Sequence, residues 1–182
     1  MRQFDATRNV VFCNRNVASI LGHMNRRDGE IAIELDVASD AALRFIGRIR
    51  SSWSVRVECP KSMNAARESG QPGFVEIDAP YRPGLERLDV YSHVIVLTWF
   101  DRADRNLIVQ KPAHTPEPRG VFALRSPVRP NPIGLHVARL VSLDIATGLL
   151  VLDAIDALDG TPVIDLKPYF ASVDAFPDAT RP

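Results

Sequence analysis

Leu135-His-Val-Ala-Arg-Leu-Val-Ser-Leu143 and Leu149-Leu-Val-Leu-Asp-Ala-Ile155, separated by the turn pair Thr147-Gly148, decide the fold class. Both runs are short, apolar or alternating, and too brief for ordinary helices, which is how half-buried strands read. Working outward, the same pattern recurs at Phe45–Arg50, Ser54–Glu58, Phe74–Asp78, Val94–Phe100, Leu107–Gln110 and Gly120–Arg125. Turn residues punctuate the series, among them Pro72-Gly73 and Asp159-Gly160. Many short strands at close spacing imply a β-barrel or a sandwich. Met63–Ser69 and Gly84–Tyr91 read as short helices, the second with Leu85, Leu88 and Tyr91 on one face.

The chain of 182 residues, 46% of them hydrophobic, can bury one sizeable core. Residues 1–42 mix Asn, Arg and Asp with short apolar stretches and show no clear period, so they read as an N-terminal extension. A tail, a short hairpin at Ile31–Leu35 and a start-site extension all fit that composition. Residues 43–176 form the expected domain and 177–182 a C-terminal tail. Net charge is zero, but its distribution is uneven. Arg44–Arg67 carries six basic residues against Glu58, and Asp144–Asp178 carries seven acids against Lys167. Two readings fit: a polyanion-facing surface beside an acidic pocket, or mixed faces that neutralise on folding. Cys13 and Cys59 form no Cys-x-x-Cys pair, and residues 1–25 lack the apolar run of a signal peptide or membrane span. A cytoplasmic, non-membrane protein is the expectation.

Lys111–Pro132 holds six of the 14 prolines. Proline fixes φ and cannot donate to a ladder, so this is a stiff connection interrupted by one strand. Stiff loops lose little entropy on binding. No Gly-x-Gly turn, P-loop or Gly-x-Ser-x-Gly elbow is present, and His23, His93, His114 and His136 are too dispersed for a zinc motif, so no metal is expected. Asp153, Asp156, Asp159 and Asp165 admit a hydrolase reading. The plainer reading is a turn at Asp159-Gly160 and solvated strand residues.

Two segments carry the most specific signal. The first is Arg125-Ser-Pro-Val-Arg129-Pro-Asn131-Pro-Ile-Gly134-Leu135, and the second Asp156-Ala-Leu-Asp159-Gly-Thr-Pro162-Val-Ile-Asp165-Leu-Lys167-Pro-Tyr169. Together they closely resemble the TsaA-like (YaeB, or TrmO) family, whose RSP-x-RPNPIG and DGTP-x-x-D-x-KPY motifs stand here in order. Ile46–Ser51 and Leu85–His93 also fit, and the resemblance runs from about Phe45 to Asp174.

The resemblance implies a mainly β protein, a single antiparallel β-barrel domain with a few short helices. It implies S-adenosylmethionine bound near a homodimer interface, and methylation of N6 of threonylcarbamoyladenosine beside the anticodon of tRNA. By position it implies cofactor contacts at Cys59-Pro60-Lys61, Asp101-Arg102, Arg125, Asn131-Pro132-Ile133-Gly134-Leu135 and Asp156-Ala157-Leu158-Asp159. Better-known members carry Pro-Arg-Gln and His-Gln at the first two places. These departures bear on the acceptor and leave open another RNA, a small molecule, or a non-catalytic cofactor-sensing RNA-binding barrel. Chemically, Arg125 suits a carboxylate or phosphate. Asp156 or Asp159 suits ribose hydroxyls or the ammonium, and Gly134 permits close approach or positive φ. Asp165 or Tyr169 is the candidate base, the alternative being a structural network of Asp165, Lys167 and Tyr169. Arg119, Arg129 and Lys167 are candidate RNA contacts.

Overall fold

The computed structural model describes residues 26–33, 41–113 and 115–180. Cys13, His23 and His114 lie outside these. Six strands close into an antiparallel barrel: β2 (Gly47–Arg50), β3 (Gly73–Ile77), β8 (Leu149–Leu152), β7 (Ile133–Asp144), β4 (His93–Trp99) and β9 (Pro162–Pro168), in that order around the ring. A second sheet joins β1 (Ile31–Ala32), β5 (Leu107–Gln110) and β6 (Arg119–Gly120). The mainly β expectation and the barrel are both met. Part of the Ile31–Leu35 candidate is thus a strand on β5, and the rest of it lies outside the described residues.

Alternation explains the core. Along β4, Val94, Val96 and Thr98 turn inward and are fully buried, while His93, Ile95, Leu97 and Trp99 lie outward and half-covered. Ile49, Val75, Leu150, Leu152, Ala138 and Val163 meet the two valines inside the ring. All seven residues of β4 pair with β7, from His93–Arg139 to Trp99–Ile133. The β2–β9 seam is shorter, with only Gly47–Val163 and Arg48–Pro162 in register. Gly148 sits at φ +76° in the β7–β8 turn, as the Thr147-Gly148 signal implies. There Asp144 accepts from Thr147 Oγ1 at 2.7 Å, a bond that holds its carboxyl below the usual range.

Several segments depart from expectation. Ser54–Glu58 is a run of turns, because Trp53 before it is anchored through Nε1 to the Ile155 carbonyl at 3.1 Å, and Val57 beyond it is exposed. Gly120–Arg125 is a strand only at its start. A 3-10 turn at Val121–Ala123 follows, with Val121 buried. Gly84–Tyr91 belongs to two 3-10 segments, Ala79–Leu85 and Leu88–Val90, broken at Arg87 with φ +63°. Leu85 and Leu88 still reach the core, so their spacing was informative about burial and not about helix type. Gly73 opens β3 instead of forming a turn. A Cβ there would meet the Ile155 side chain at 2.5 Å. Strand β9 is framed by Pro162 and Pro168, which hides it from a breaker-based reading although proline is tolerated at strand ends.

Candidate functional site

Antiparallel closure sorts the loops by barrel end. Strands β2, β4 and β8 finish, and β3, β7 and β9 begin, at one rim. Cys59–Lys61, Asp101-Arg102, Asn131-Pro132 and Asp156–Asp159 all lie in the connections at that rim, though far apart in sequence, and Ile133 opens β7 there.

The 153–161 connection is held from two sides. On one side the chain leaving β2 binds it: Ser51 Oγ donates to the Ala157 carbonyl at 2.8 Å, and Asp159 N–H donates to the Trp53 carbonyl at 2.8 Å. The Asp159 carboxylate accepts from Ser51 N–H at 3.2 Å and faces Arg50 at 3.7 Å. Arg50 in turn holds Glu76 at 2.7 Å, which raises its pKa above the ordinary value. On the other side, from within the barrel, His136 Nδ1 meets Asp156 Oδ1 at 2.6 Å, and His136 Nε2 meets Thr98 Oγ1 at 2.9 Å. His136 is 2% exposed, and the Phe100 ring stands edge-on to it, centroids 5.8 Å apart. With the proton on Nδ1, both ring nitrogens have a partner: Nδ1–H donates to the carboxylate and Nε2 accepts the hydroxyl proton. Asp156 Oδ2 has no hydrogen-bond partner among the described residues.

Gly134 makes this packing possible. A Cβ would overlap Thr98 Oγ1 and stand 2.6 Å from Phe100 Cζ and 2.8 Å from His136 Nε2. Its smallness serves a protein contact, and its φ is not positive. Cys59 is half-buried, and burial, followed by the nearby Asp156 charge, pushes its thiol up to about 11. The loop carrying Cys59-Pro60-Lys61 therefore sits beside Asp156, with Lys61 exposed. Arg102 reaches from the β4–β5 connection toward the Asp159 carbonyl at 3.5 Å. The proline-rich entry to β7 is fastened by Arg105, whose Nε donates to the Pro130 carbonyl at 2.8 Å and whose guanidinium lies 5.3 Å from the Trp99 ring.

The remaining expected residues are placed elsewhere. Arg129 Nη2 donates to the carbonyls of Val121, at 2.6 Å, and Leu124, at 2.5 Å, so its guanidinium closes the 3-10 turn. Arg125 and Arg119 are exposed, the latter on β6 opposite Gln110. Asp165 and Lys167 form an ion pair at 2.8 Å on the outer side of β9, beside Leu97 and Ile95. That bond, with the Asp165 charge, raises the Lys167 pKa. Tyr169 donates its backbone N–H to the His93 carbonyl at 3.1 Å, at the far end of β4. Seven residues of β4 separate it from the rim, about 20 Å at the rise of an extended strand. His136 and Thr98 are the residues a motif reading passes over. Alternation signals them: His136 shares a face with Ala138, and a buried imidazole requires partners. Among the described residues no group of three or more His, Cys, Asp or Glu side chains could hold a metal ion, and no helix is long and apolar enough to cross a membrane.

A closed antiparallel barrel with no Gly-x-Gly turn defines a fold class distinct from the doubly wound sheet. Within that class, the chain belongs to the family of the tRNA-methyltransferase O N-terminal domain, whose model matches residues 48–175. It is 35% identical over 154 residues to "Probable S-adenosyl-L-methionine-binding protein VirR" of Rhizobium radiobacter, covering 84% of this chain and 85% of that protein. It is 38% identical over 132 residues to an S-adenosyl-L-methionine-binding protein of Archaeoglobus fulgidus, covering 72% of this chain and 91% of that one. The crystal structure of TrmO from Pseudomonas aeruginosa superposes with a TM-score of 0.63 at 35% identity, over 78% of this chain and 62% of the solved one. This chain therefore spans less than two thirds of that protein's length.

Proposed function

We propose that this chain is an S-adenosylmethionine-dependent methyltransferase that methylates N6 of threonylcarbamoyladenosine next to the anticodon of tRNA. The observation that carries the reading is the convergence, on one rim, of four segments that the family resemblance assigns to the cofactor: Cys59–Lys61, Asp101-Arg102, the chain entering β7, and Asp156–Asp159. When bound, S-adenosylmethionine supplies an electrophilic methyl group on a sulfonium. The chain's own residues fit it. Asp156 offers a free carboxylate oxygen for a cation or a hydroxyl. Exposed Arg125, Arg102 and Lys61 offer charge for a carboxylate or for RNA phosphates. Leu135 and Ile133 offer apolar surface at the start of β7. The double fastening of the 153–161 connection presets Asp156, so little ordering of that carboxylate is left to binding.

In this reading the protein works as a homodimer through the outer face of β4 and β7. Ile133 and Leu135 are exposed there, opposite half-covered Trp99 and Leu97. Asp165 lies on the same outer face, so its candidate role as base belongs to a site completed by the partner. Tyr169 and Lys167 then serve the strand network, and Arg129 serves the loop rather than RNA.

A second reading keeps the cofactor and changes the acceptor. Arg102, at the rim where relatives carry another pair, favours it. Incubation of the full chain with methyl-labelled cofactor and bulk tRNA carrying the threonylcarbamoyl modification decides. Labelled N6-methyl-threonylcarbamoyladenosine on nucleoside analysis is the expected product. Label in another nucleoside or a small molecule selects the second reading. Cofactor binding by calorimetry without transfer would leave a cofactor-sensing barrel and defeat the enzyme assignment. RNA affinity should fall steeply with salt, since Arg–phosphate contacts release counterions.

A further inference from the structure

Asp156 and Asp159 begin as equal candidates for the polar groups of the cofactor, and their surroundings separate them. Both Asp159 oxygens are engaged by the chain leaving β2: Oδ1 by Ser51 N–H at 3.2 Å, Oδ2 by Arg50 at 3.7 Å. Asp156 is engaged at one oxygen only, from beneath, by His136 at 2.6 Å. The imidazole has almost no freedom to move. It is 2% exposed, its other nitrogen is bonded to Thr98 on the facing strand, Phe100 stands against its face, and Gly134 leaves no space beside it. The result is a rigid post within the barrel that sets one carboxylate oxygen at the rim.

A carboxylate with one oxygen already committed is poorly matched to a ribose diol, which two free oxygens bind best. It is well matched to a single cationic N–H donor, for which the bond is charge-assisted. We infer that His136 is a positioning residue that aims Asp156 Oδ2 at the ammonium group of the cofactor's amino-acid portion. The inference rests on the cofactor reading above and adds which carboxylate takes which group, and what holds it there. A buried histidine kept only for packing would be replaceable by an apolar residue of similar volume, and this one would not.

The test is titration calorimetry of the full chain with S-adenosylmethionine and with 5′-methylthioadenosine, which lacks the amino-acid portion. His136→Leu should weaken S-adenosylmethionine about tenfold or more, the scale of one charge-assisted bond, and leave methylthioadenosine within about twofold of wild type. His136→Asn, whose amide N–H can still reach Asp156, should recover most of the loss. In an Asp156→Asn background His136→Leu should cost nothing further, because the two act as one unit. Should His136→Leu fail to fold, by near-ultraviolet circular dichroism, Thr98→Val carries the test. It removes only the hydroxyl that orients the ring, and should weaken S-adenosylmethionine severalfold. A folded His136→Leu protein that binds S-adenosylmethionine as tightly as wild type overturns the inference. So does equal weakening of both ligands, which marks a collapsed pocket. Failure of wild type to bind S-adenosylmethionine is distinguishable from these, and removes the cofactor reading together with the inference built on it.

Discussion

Gly134 and Cys59 show how single residues hold the rim together. Gly134→Ala places a methyl group against Thr98, Phe100 and His136 at once. Overpacking of that kind costs about 1–3 kcal/mol, and thermal or urea melts should show it. A melt indistinguishable from wild type would mean that the three side chains yield without penalty. Cys59 makes a different prediction. Its thiol is raised to about 11 by burial and then by the Asp156 charge, so the reactive thiolate is scarce near neutral pH. In a Cys13→Ser background, iodoacetamide should modify it slowly at pH 8 and much faster as pH approaches 11. The sign for stability follows: a thiol raised in the folded state favours folding below its unfolded pKa of 9.0, and loses that contribution as pH rises toward about 11. Fast alkylation at pH 8 would show that the loop does not bury the sulfur. The signal for Gly134 was present in the sequence as a small residue between isoleucine and leucine. That it accommodates a histidine was not, because Thr98 and His136 are brought together only by pairing β4 with β7.

At the scale of elements, the stiff connection ahead of β7 depends on arginines more than on its prolines alone. Arg129 closes the Val121–Ala123 turn through two carbonyls, and Arg105 fastens Pro130. Arg129→Ala should therefore lower stability by about 1.5–3 kcal/mol, the scale of hydrogen bonds to a charged donor. It should also speed amide exchange around Leu124 while leaving the salt dependence of RNA binding unchanged. A shallower salt slope with unchanged stability would return Arg129 to the phosphate contacts. The helix α1 (Met63–Glu68) works in the same manner. Ser62 caps its start, and its Arg67 bonds Asp153 at 3.0 Å and the Val137 carbonyl at 2.7 Å, tying the helix to β7 and β8. Helix α1 and most strands were legible because alternation and capping are local. The 3-10 turn after β6 and the turns after Trp53 were not: in one the Arg129 side chain takes up the backbone carbonyls, and in the other the Trp53 indole is anchored on the distant Ile155 carbonyl.

Over the whole molecule, the barrel leaves an apolar strip on its outer face. Leu135, 49% exposed, lies opposite Leu97, with Ile133 opposite Trp99. If this strip is the dimer face, Leu135→Glu should yield monomers in sedimentation experiments where wild type sediments as a dimer. The variant's own melting temperature should change little, as surface substitutions usually do. A dimer that persists in Leu135→Glu would move the interface elsewhere.

The sequence by itself determined the class of the molecule: short alternating runs and glycine turns dictate a β-rich domain, and two long motifs mark its family. These properties are local, or linear along the chain, and need no knowledge of what lies across the barrel. Only the tertiary structure decided the division of labour among the polar residues. Closing the ring spends Asp159 on the chain's own backbone and charges, sends Tyr169 to the far end of β4, and frees one oxygen of Asp156 above a buried histidine. The physical reason is that a side chain's role is set by which partners satisfy it. For Asp156, Asp159 and Tyr169 the partners stand in distant parts of the chain and meet them only when the barrel closes.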